Sequence, residues 1–413
     1  MKTAFTKVDI TPVLPVQLSG YGKLQVAYKV HDPLYARIFL LDDLLWIQLD
    51  LTCFDQFLLD LISKETGFSK DKLIVSAIHT HSAGGGTINT YEGLLKGLDA
   101  NLGGALNPEY CLRIASAIGN TIYDLRNDLK ETTLKVFKGK VIGLGTDRHD
   151  PNFEADEDTL VLEWNREDKK AMIVRMSCHP TVMNENNLEI SADFCGAIEP
   201  NFKDYELVAY VNGSCGDMST RFTRQESSFK EVERYGKLVS DQIKEIMTQD
   251  VVEYKGFQMD YLQKTFTLKV KKVDTIEEAK EKVKFAQAKL NEAIQKNLSP
   301  KEIRLVKSYV EGAQNNLMSA YAFSTLSDID VNVSALKLPG ITLIFTPLEL
   351  FSKLSNPYKQ HGFEYIGYTN GYLGYMPDMN GYDQGYYEAF STPYEYGEAE
   401  KFMVSIKEWI ENY

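Results

Sequence analysis

The chain has 413 residues, with 58 acidic against 45 basic side chains and a net charge of −13 at neutral pH. That balance argues against a nucleic-acid partner and against electrostatic docking on anionic lipid. With 44% hydrophobic and 25% charged residues, the composition is that of a globular chain long enough for one large domain or two ordinary ones.

The first residues lack an apolar core of signal-peptide length. The most apolar region, 38–62, is interrupted by Asp42, Asp43, Asp50, Asp55 and Asp60, so no membrane span is expected. Five cysteines form no Cys-x-x-Cys pair, and their odd number fits reduced thiols. Together these features predict a cytoplasmic protein.

Residues 4–50 read as β-rich, with strand-like runs at 36–41 and 45–50 around the hairpin turn Asp42-Asp43-Leu44. A helix is expected over 54–66. The apolar run Leu73-Ile74-Val75 then leads into Ile78-His79-Thr80-His81-Ser82-Ala83-Gly84-Gly85-Gly86, which spends two of the chain's six histidines. In an extended segment both imidazoles face one side, which suits a metal; the segment reads equally as two surface histidines before a flexible loop. Residues 108–129 carry helical spacing with Asn107 as cap.

Further strands are expected at 159–164 and 171–176, the second running into Cys178-His179-Pro180-Thr181. The run 207–211 enters Asn212-Gly213-Ser214-Cys215-Gly216-Asp217-Met218-Ser219, and 230–247 reads as a helix. Over 275–322, two heptad stripes each follow a capping box, Thr275-x-x-Glu278 and Ser299-Pro300-x-Glu302, which predicts an antiparallel helical hairpin inserted at about 273–322. Strands over 336–345 then enter Thr346-Pro347-Leu348-Glu349. Between Tyr365 and Tyr396 lie nine of the 24 tyrosines, interleaved with glycines.

Four apolar strands therefore end in short polar motifs, at His79, His179, Asn212 and Glu349. Strand ends are where layered α/β proteins assemble sites. Two imidazoles and a carboxylate suit zinc. Taken singly, His179 reads as a core histidine and Glu349 as a helix-start carboxylate; spacing does not separate these readings.

Together these motifs resemble the neutral/alkaline non-lysosomal ceramidase family. The family's His-Thr-His-Ser-Gly-Pro-Gly-Gly is similar to 79–86, its His-Pro-Thr to His179-Pro180-Thr181, and its Asn-x-x-x-Gly-Asp-x-Ser-Pro to Asn212 through Ser219 with Thr220 in place of proline. Its Pro-Gly-Glu resembles Pro347-Leu348-Glu349, and its Asn-Asp-Tyr-x-Gly-Tyr resembles 370–375, followed by an echo at 382–388. The family's Asn-Arg-Ser-Pro is matched less well by Asp147-Arg148-His149-Asp150.

The resemblance implies one large α/β (α+β) catalytic domain over 1–413, with mixed sheets flanked by helices and without the family's carboxyl-terminal immunoglobulin-like domain. It implies zinc held by His79, His179, Glu349 and Tyr372, with His81 and Arg148 at the substrate carbonyl and Ser219 as the active-site serine. Gly84, Gly85, Asn212, Asp217, Tyr382 and Tyr387 are the expected substrate-binding residues. The implied reaction is amide hydrolysis of a small-molecule N-acyl substrate, sphingolipid-like, by metal-activated water. Alternatives are a smaller soluble amide or ester, an amidohydrolase barrel, or a non-catalytic sugar- or lipid-binding protein using the tyrosine–glycine segment.

Overall fold

Strands in the computed structural model, which describes residues 1–90, 94, 102–153 and 155–413, fall into three main sheets that follow one another along the chain; the side chains of 300, 301, 304, 305, 308 and 311 lie outside the description. The first sheet has β1 (Lys2–Asp9), β2 (Tyr35–Leu41), β3 (Leu44–Leu49) and β4 (Leu73–Ala77) in the order β4-β3-β2-β1, edged by Lys130–Glu131. The second has β5 (Thr133–Lys140), β6 (Asp158–Asn165), β7 (Lys170–Met176) and β8 (Leu207–Asn212) in the order β8-β7-β6-β5, edged by Glu253–Tyr254. The third has β9 (Asp260–Leu268), β10 (Ile329–Leu338), β11 (Ile341–Phe345) and β12 (Phe363–Ile366) in that order.

One rule builds all three. Most neighbouring strands pair antiparallel, and the predicted turn at Asp42-Asp43 closes β2 on β3 with Asp42 at φ +51°. The last two strands of each sheet are joined by a long crossover, and these pairs, β3–β4, β7–β8 and β11–β12, are parallel. Each sheet is thus mixed, as the sequence predicts.

Strand alternation decides which core each side chain enters. In β3, Leu44 and Trp46 enter a central core shared by all three sheets, while Leu45, Ile47 and Leu49 enter a second core under the helices. In β7, Ala171 and Ile173 take the first direction and Met172, Val174 and Met176 the second. Trp46 meets Phe345 edge-on at 5.2 Å, joining the first sheet to the third.

α1 (Gln56–Thr66) is capped by the Asp55 carboxylate and stops at Gly67, φ +71°. α2 (Pro108–Gly119) begins at Asn107, as expected, but the predicted 108–129 helix is two pieces, α2 and Ile122–Asn127. Between them, Thr121 donates both its backbone N–H and its hydroxyl to the Ile118 carbonyl, a local alternative to helical bonding. α3 (Phe229–Ile246) covers the second sheet.

The hairpin is present as α4 (Ile276–Gln295) and α5 (Pro300–Phe323), each opened by its predicted capping box. Of the α4 stripe, only Ala279, Ala286 and Ala293 are fully buried; Ile276, Val283 and Leu290 are half-buried, because a two-helix arm has no third layer to cover them. α5 packs against the short helix Tyr387–Ser391, and α6 (Glu398–Glu411) covers the outer face of the third sheet. Among the described residues, no helix is long and apolar enough to cross a membrane.

Candidate metal and catalytic centre

The parallel pairs point six strand ends at one place, and each contributes there. Beyond β3 lies the Thr52 carbonyl, beyond β4 lie His79 and His81, and beyond β7 lies His179. Asn212 closes β8, Glu349 follows β11, and Tyr368 and Tyr372 follow β12. Backbone bonds stitch these ends across sheets: Gly367 N–H donates to the Asn212 carbonyl at 2.9 Å, and Asn370 N–H to the Val75 carbonyl at 2.7 Å.

His79 does not continue the strand. Its φ is +69°, and Tyr368, stacked on its ring at 4.1 Å, has φ +53°. Non-glycine residues in this region cost about 1–3 kcal/mol each and persist where the surrounding structure fixes them. The turn aims the imidazole inward. Its Nδ1 lies 2.8 Å from the Thr52 carbonyl, which only accepts, so Nδ1 carries the proton and Nε2 presents a lone pair. His179 is held the same way: Nδ1 donates to the carbonyls of Cys215 at 2.7 Å and Met218 at 3.0 Å.

Both free Nε2 atoms face one carboxylate oxygen. Glu349 Oε2 is 3.1 Å from His179 Nε2 and 3.5 Å from His79 Nε2. Burial pushes the Glu349 carboxyl up, but positive charge at the positions of His79 and His179 outweighs it and holds the carboxyl well below the usual range; with both Nε2 atoms as lone pairs, a bound cation would supply that charge. Tyr372 donates its hydroxyl to Oε1 and Tyr368 lies 3.2 Å from Oε2. Three acceptor atoms thus converge in a buried place, an arrangement that repels unless a cation sits among them. This donor set fits zinc.

His81 joins the cluster: the ligating atoms of His79, His81 and His179 lie within 4.8 Å of one another. His81 Nε2 is 3.4 Å from His79 Nε2, while its Nδ1 is buried without a hydrogen-bond partner. Tyr21 meets its ring edge-on at 4.7 Å, and Gly20 lies so close that a Cβ there would be 2.3 Å from His81 Cγ. Burial drives the His81 imidazole well below its ordinary pKa, so it is neutral.

Arg148 approaches from the other side. Its Nη1 donates to Tyr375 Oη at 3.2 Å and to the Gly216 carbonyl at 3.3 Å, and it pairs with Glu388 at 3.2 Å. Burial lowers its pKa, but Tyr375 and Glu388 raise it further, so the guanidinium stays charged. Ser219 is buried and bridges to His179, but its Oγ accepts from the Arg221 N–H at 3.3 Å and no imidazole among the described residues is within hydrogen-bond distance.

Other predicted residues lie around rather than in the cluster. Asn212 ties strand ends: its Oδ1 accepts from Cys178 N–H at 3.2 Å and Tyr210 Oη at 2.9 Å, and its Nδ2 donates to the Ile78 carbonyl at 3.0 Å. Asp217 accepts from the Ser352 N–H at 2.7 Å and its hydroxyl at 2.8 Å, which anchors the turn after Glu349. Gly84 abuts Pro12 and Gly85 abuts the Gly103 backbone, so chain packing occupies the space expected for an open approach. Tyr382 donates to the Tyr394 carbonyl at 2.7 Å, and Tyr387 is 62% exposed at the rim.

Sequence reasoning passed over His149. Its Nδ1 is 3.1 Å from Asp147 and its Nε2 2.9 Å from Glu388, with Tyr386 stacked at 3.7 Å. Burial lowers its pKa, but the two carboxylates raise it to about 9, so Glu388 serves two cations. The signal was its position beside Arg148 in the element that matched the family pattern least.

A mixed α/β scaffold with a buried cluster of imidazoles and a carboxylate at its converging strand ends defines an enzyme-type site able to hold a metal. Residues 3–223, more than half of the chain, match the family described as neutral/alkaline non-lysosomal ceramidase, N-terminal. The chain belongs to that family and is a ceramidase-like hydrolase. No curated protein sequence matches it. Its fold is similar to that of the neutral ceramidase from Pseudomonas aeruginosa, at 18% identity and a TM-score of 0.71, covering 98% of this chain and 73% of the other. A structure described as ceramidase complexed with C2 is similar at 15% identity and a TM-score of 0.68, covering 98% and 75%.

Proposed function

We propose that this chain is a zinc-dependent hydrolase that cleaves the amide bond of an N-acyl substrate of the ceramide type. The observation that carries this reading is the convergence of His79 Nε2, His179 Nε2 and Glu349 Oε2, with both Nδ1 atoms pinned on carbonyls. His79, His179 and Glu349 would hold the ion, with Tyr372 beside them. When bound, zinc supplies Lewis acidity, bringing the pKa of water to about 7 and polarising a carbonyl.

The chain's own residues supply the rest. Amide hydrolysis develops negative charge on the carbonyl oxygen, and fixed donors in a dry site stabilise that charge. Arg148, held charged by Glu388 and Tyr375 and within electrostatic reach of His81 and His179, and the neutral His81 are fixed donors beside the cluster. Ser219, without an imidazole partner, fits a positioning role better than that of a base-activated nucleophile. Five free cysteines support a reducing, cytoplasmic setting.

The test is metal analysis joined to a hydrolysis screen across N-acyl amines of increasing chain length, ceramide included, with a chelator control. Stoichiometric zinc and chelator-sensitive cleavage are expected, and both should be lost in His79→Ala/His179→Ala. A folded protein that neither carries nor takes up zinc would overturn the reading. Cleavage confined to short soluble amides would remove ceramide and keep the mechanism.

A further inference from the structure

Two arginines without acidic partners among the described residues bond to segments that adjoin the site. Arg221 Nη1 donates to the Arg148 carbonyl at 2.9 Å, and Arg221 N–H donates to Ser219 Oγ. Arg224 donates to the carbonyl of Thr181, two residues beyond His179, and to that of Val182 at 3.5 Å. In the same segment the Met183 carbonyl accepts from the hydroxyl of Tyr21 at 2.9 Å, and the Tyr21 ring packs on His81. Neither arginine has a carboxylate within ion-pair distance among the described residues. Glu185 and the buried Asp193 are in electrostatic reach of Tyr21, but pair with neither.

In a chain of 58 acidic and 45 basic residues, Arg148, protonated His149, Arg221 and Arg224 gather here, and among the described residues the carboxylates paired with them are Glu388 and Asp147, both on Arg148 and His149 and neither on Arg221 or Arg224. Partial burial and the nearby charges of Arg148 and Arg224 pull the Arg221 guanidinium below its ordinary pKa, with Glu388 partly opposing. Crowded cations without counter-ions are stabilised by an incoming anion. Phe222, between the two arginines in sequence, is 48% exposed and offers apolar surface beside the charge.

We propose that the natural substrate is an N-acyl compound whose amine half carries an oxyanion (a carboxylate, sulfonate or phosphate) held beside the site by Arg221 and Arg224. This rests on the hydrolase reading above and narrows its substrate class. The guanidinium forks suit such a group because they can donate two parallel hydrogen bonds to it. Hydrolysis would release a fatty acid and an anionic amine.

The experiment compares N-lauroylglycine, N-lauroyltaurine and N-lauroyl-phosphoethanolamine with neutral N-lauroylethanolamine on the zinc-loaded protein. At least one anionic amide should exceed the neutral one in kcat/KM, and Arg221→Gln/Arg224→Gln should lower that ratio by about tenfold to a hundredfold. Arg→Lys at both positions should restore part of it, and the preference should shrink as salt rises. Calorimetry on the metal-free protein gives a reading independent of turnover, with the same preference in Kd expected. Absence of any cleavage with a retained anionic preference in binding would sink the hydrolase reading alone. Equal binding of charged and neutral amides, unchanged by the double substitution, would overturn the anionic substrate.

Discussion

Replacing Gly20 by alanine should displace His81 from the cluster. Two costs add. Gly20 has φ +109°, where an L-residue is strained by about 1–2 kcal/mol. Its new Cβ would lie 2.3, 2.6 and 2.7 Å from three atoms of the His81 ring, and such overpacking costs a further ~1–3 kcal/mol. Gly67→Ala is the internal control, since Gly67 has φ +71° but nothing within 4 Å of the added carbon. Urea unfolding should therefore show Gly67→Ala losing about 1 kcal/mol and Gly20→Ala about 2–5 kcal/mol. Only Gly20→Ala should also weaken zinc uptake or amide cleavage. Equal losses in the two variants, with both retaining metal and activity, would refute the placement of His81 against this loop.

Asn212→Ala removes three buried hydrogen bonds and leaves Cys178 N–H and the Ile78 carbonyl short of a partner, while Tyr210 Oη keeps the Met176 and Cys178 carbonyls at 3.4 Å, so a loss of about 2–4 kcal/mol is expected in denaturant titration. His149 has a folded pKa raised to about 9 against about 6.5 unfolded. Its contribution to stability is therefore complete below pH 6.5 and disappears as pH rises through 9. Urea midpoints should fall across that window in the wild type more than in His149→Gln, and parallel curves would count against the clamp. Added zinc should raise the Tm of chelator-treated protein in proportion to the logarithm of its concentration, an effect absent from His79→Ala/His179→Ala.

Much of the scaffold is readable from apolar runs that end in polar residues. The ends at His79, His179, Asn212 and Glu349 do lie together, because each terminates or follows a strand of a parallel pair. Alternation within an extended chain, however, is the wrong reason for His79 and His81 to converge. His79 is left-handed, and its ring meets that of His81 through a turn that sequence spacing does not encode. The capping boxes placed the hairpin because capping is local; its packing on Tyr387–Ser391 is tertiary and left no pattern. His149 escaped for a similar reason, since Glu388, 239 residues away, gives it its role.

The arrangement of one parallel pair per sheet has a consequence for biogenesis. Each arm of the imidazole–carboxylate cluster arrives on a different sheet, at positions 79, 179 and 349, so no early-folding fragment contains the complete set of donors. Loop closure over such separations is slow and entropically costly. On the zinc reading proposed above, metal capture would be a late event that reports finished assembly, and the ion would lock three sheets to one another after they have formed instead of templating any one of them.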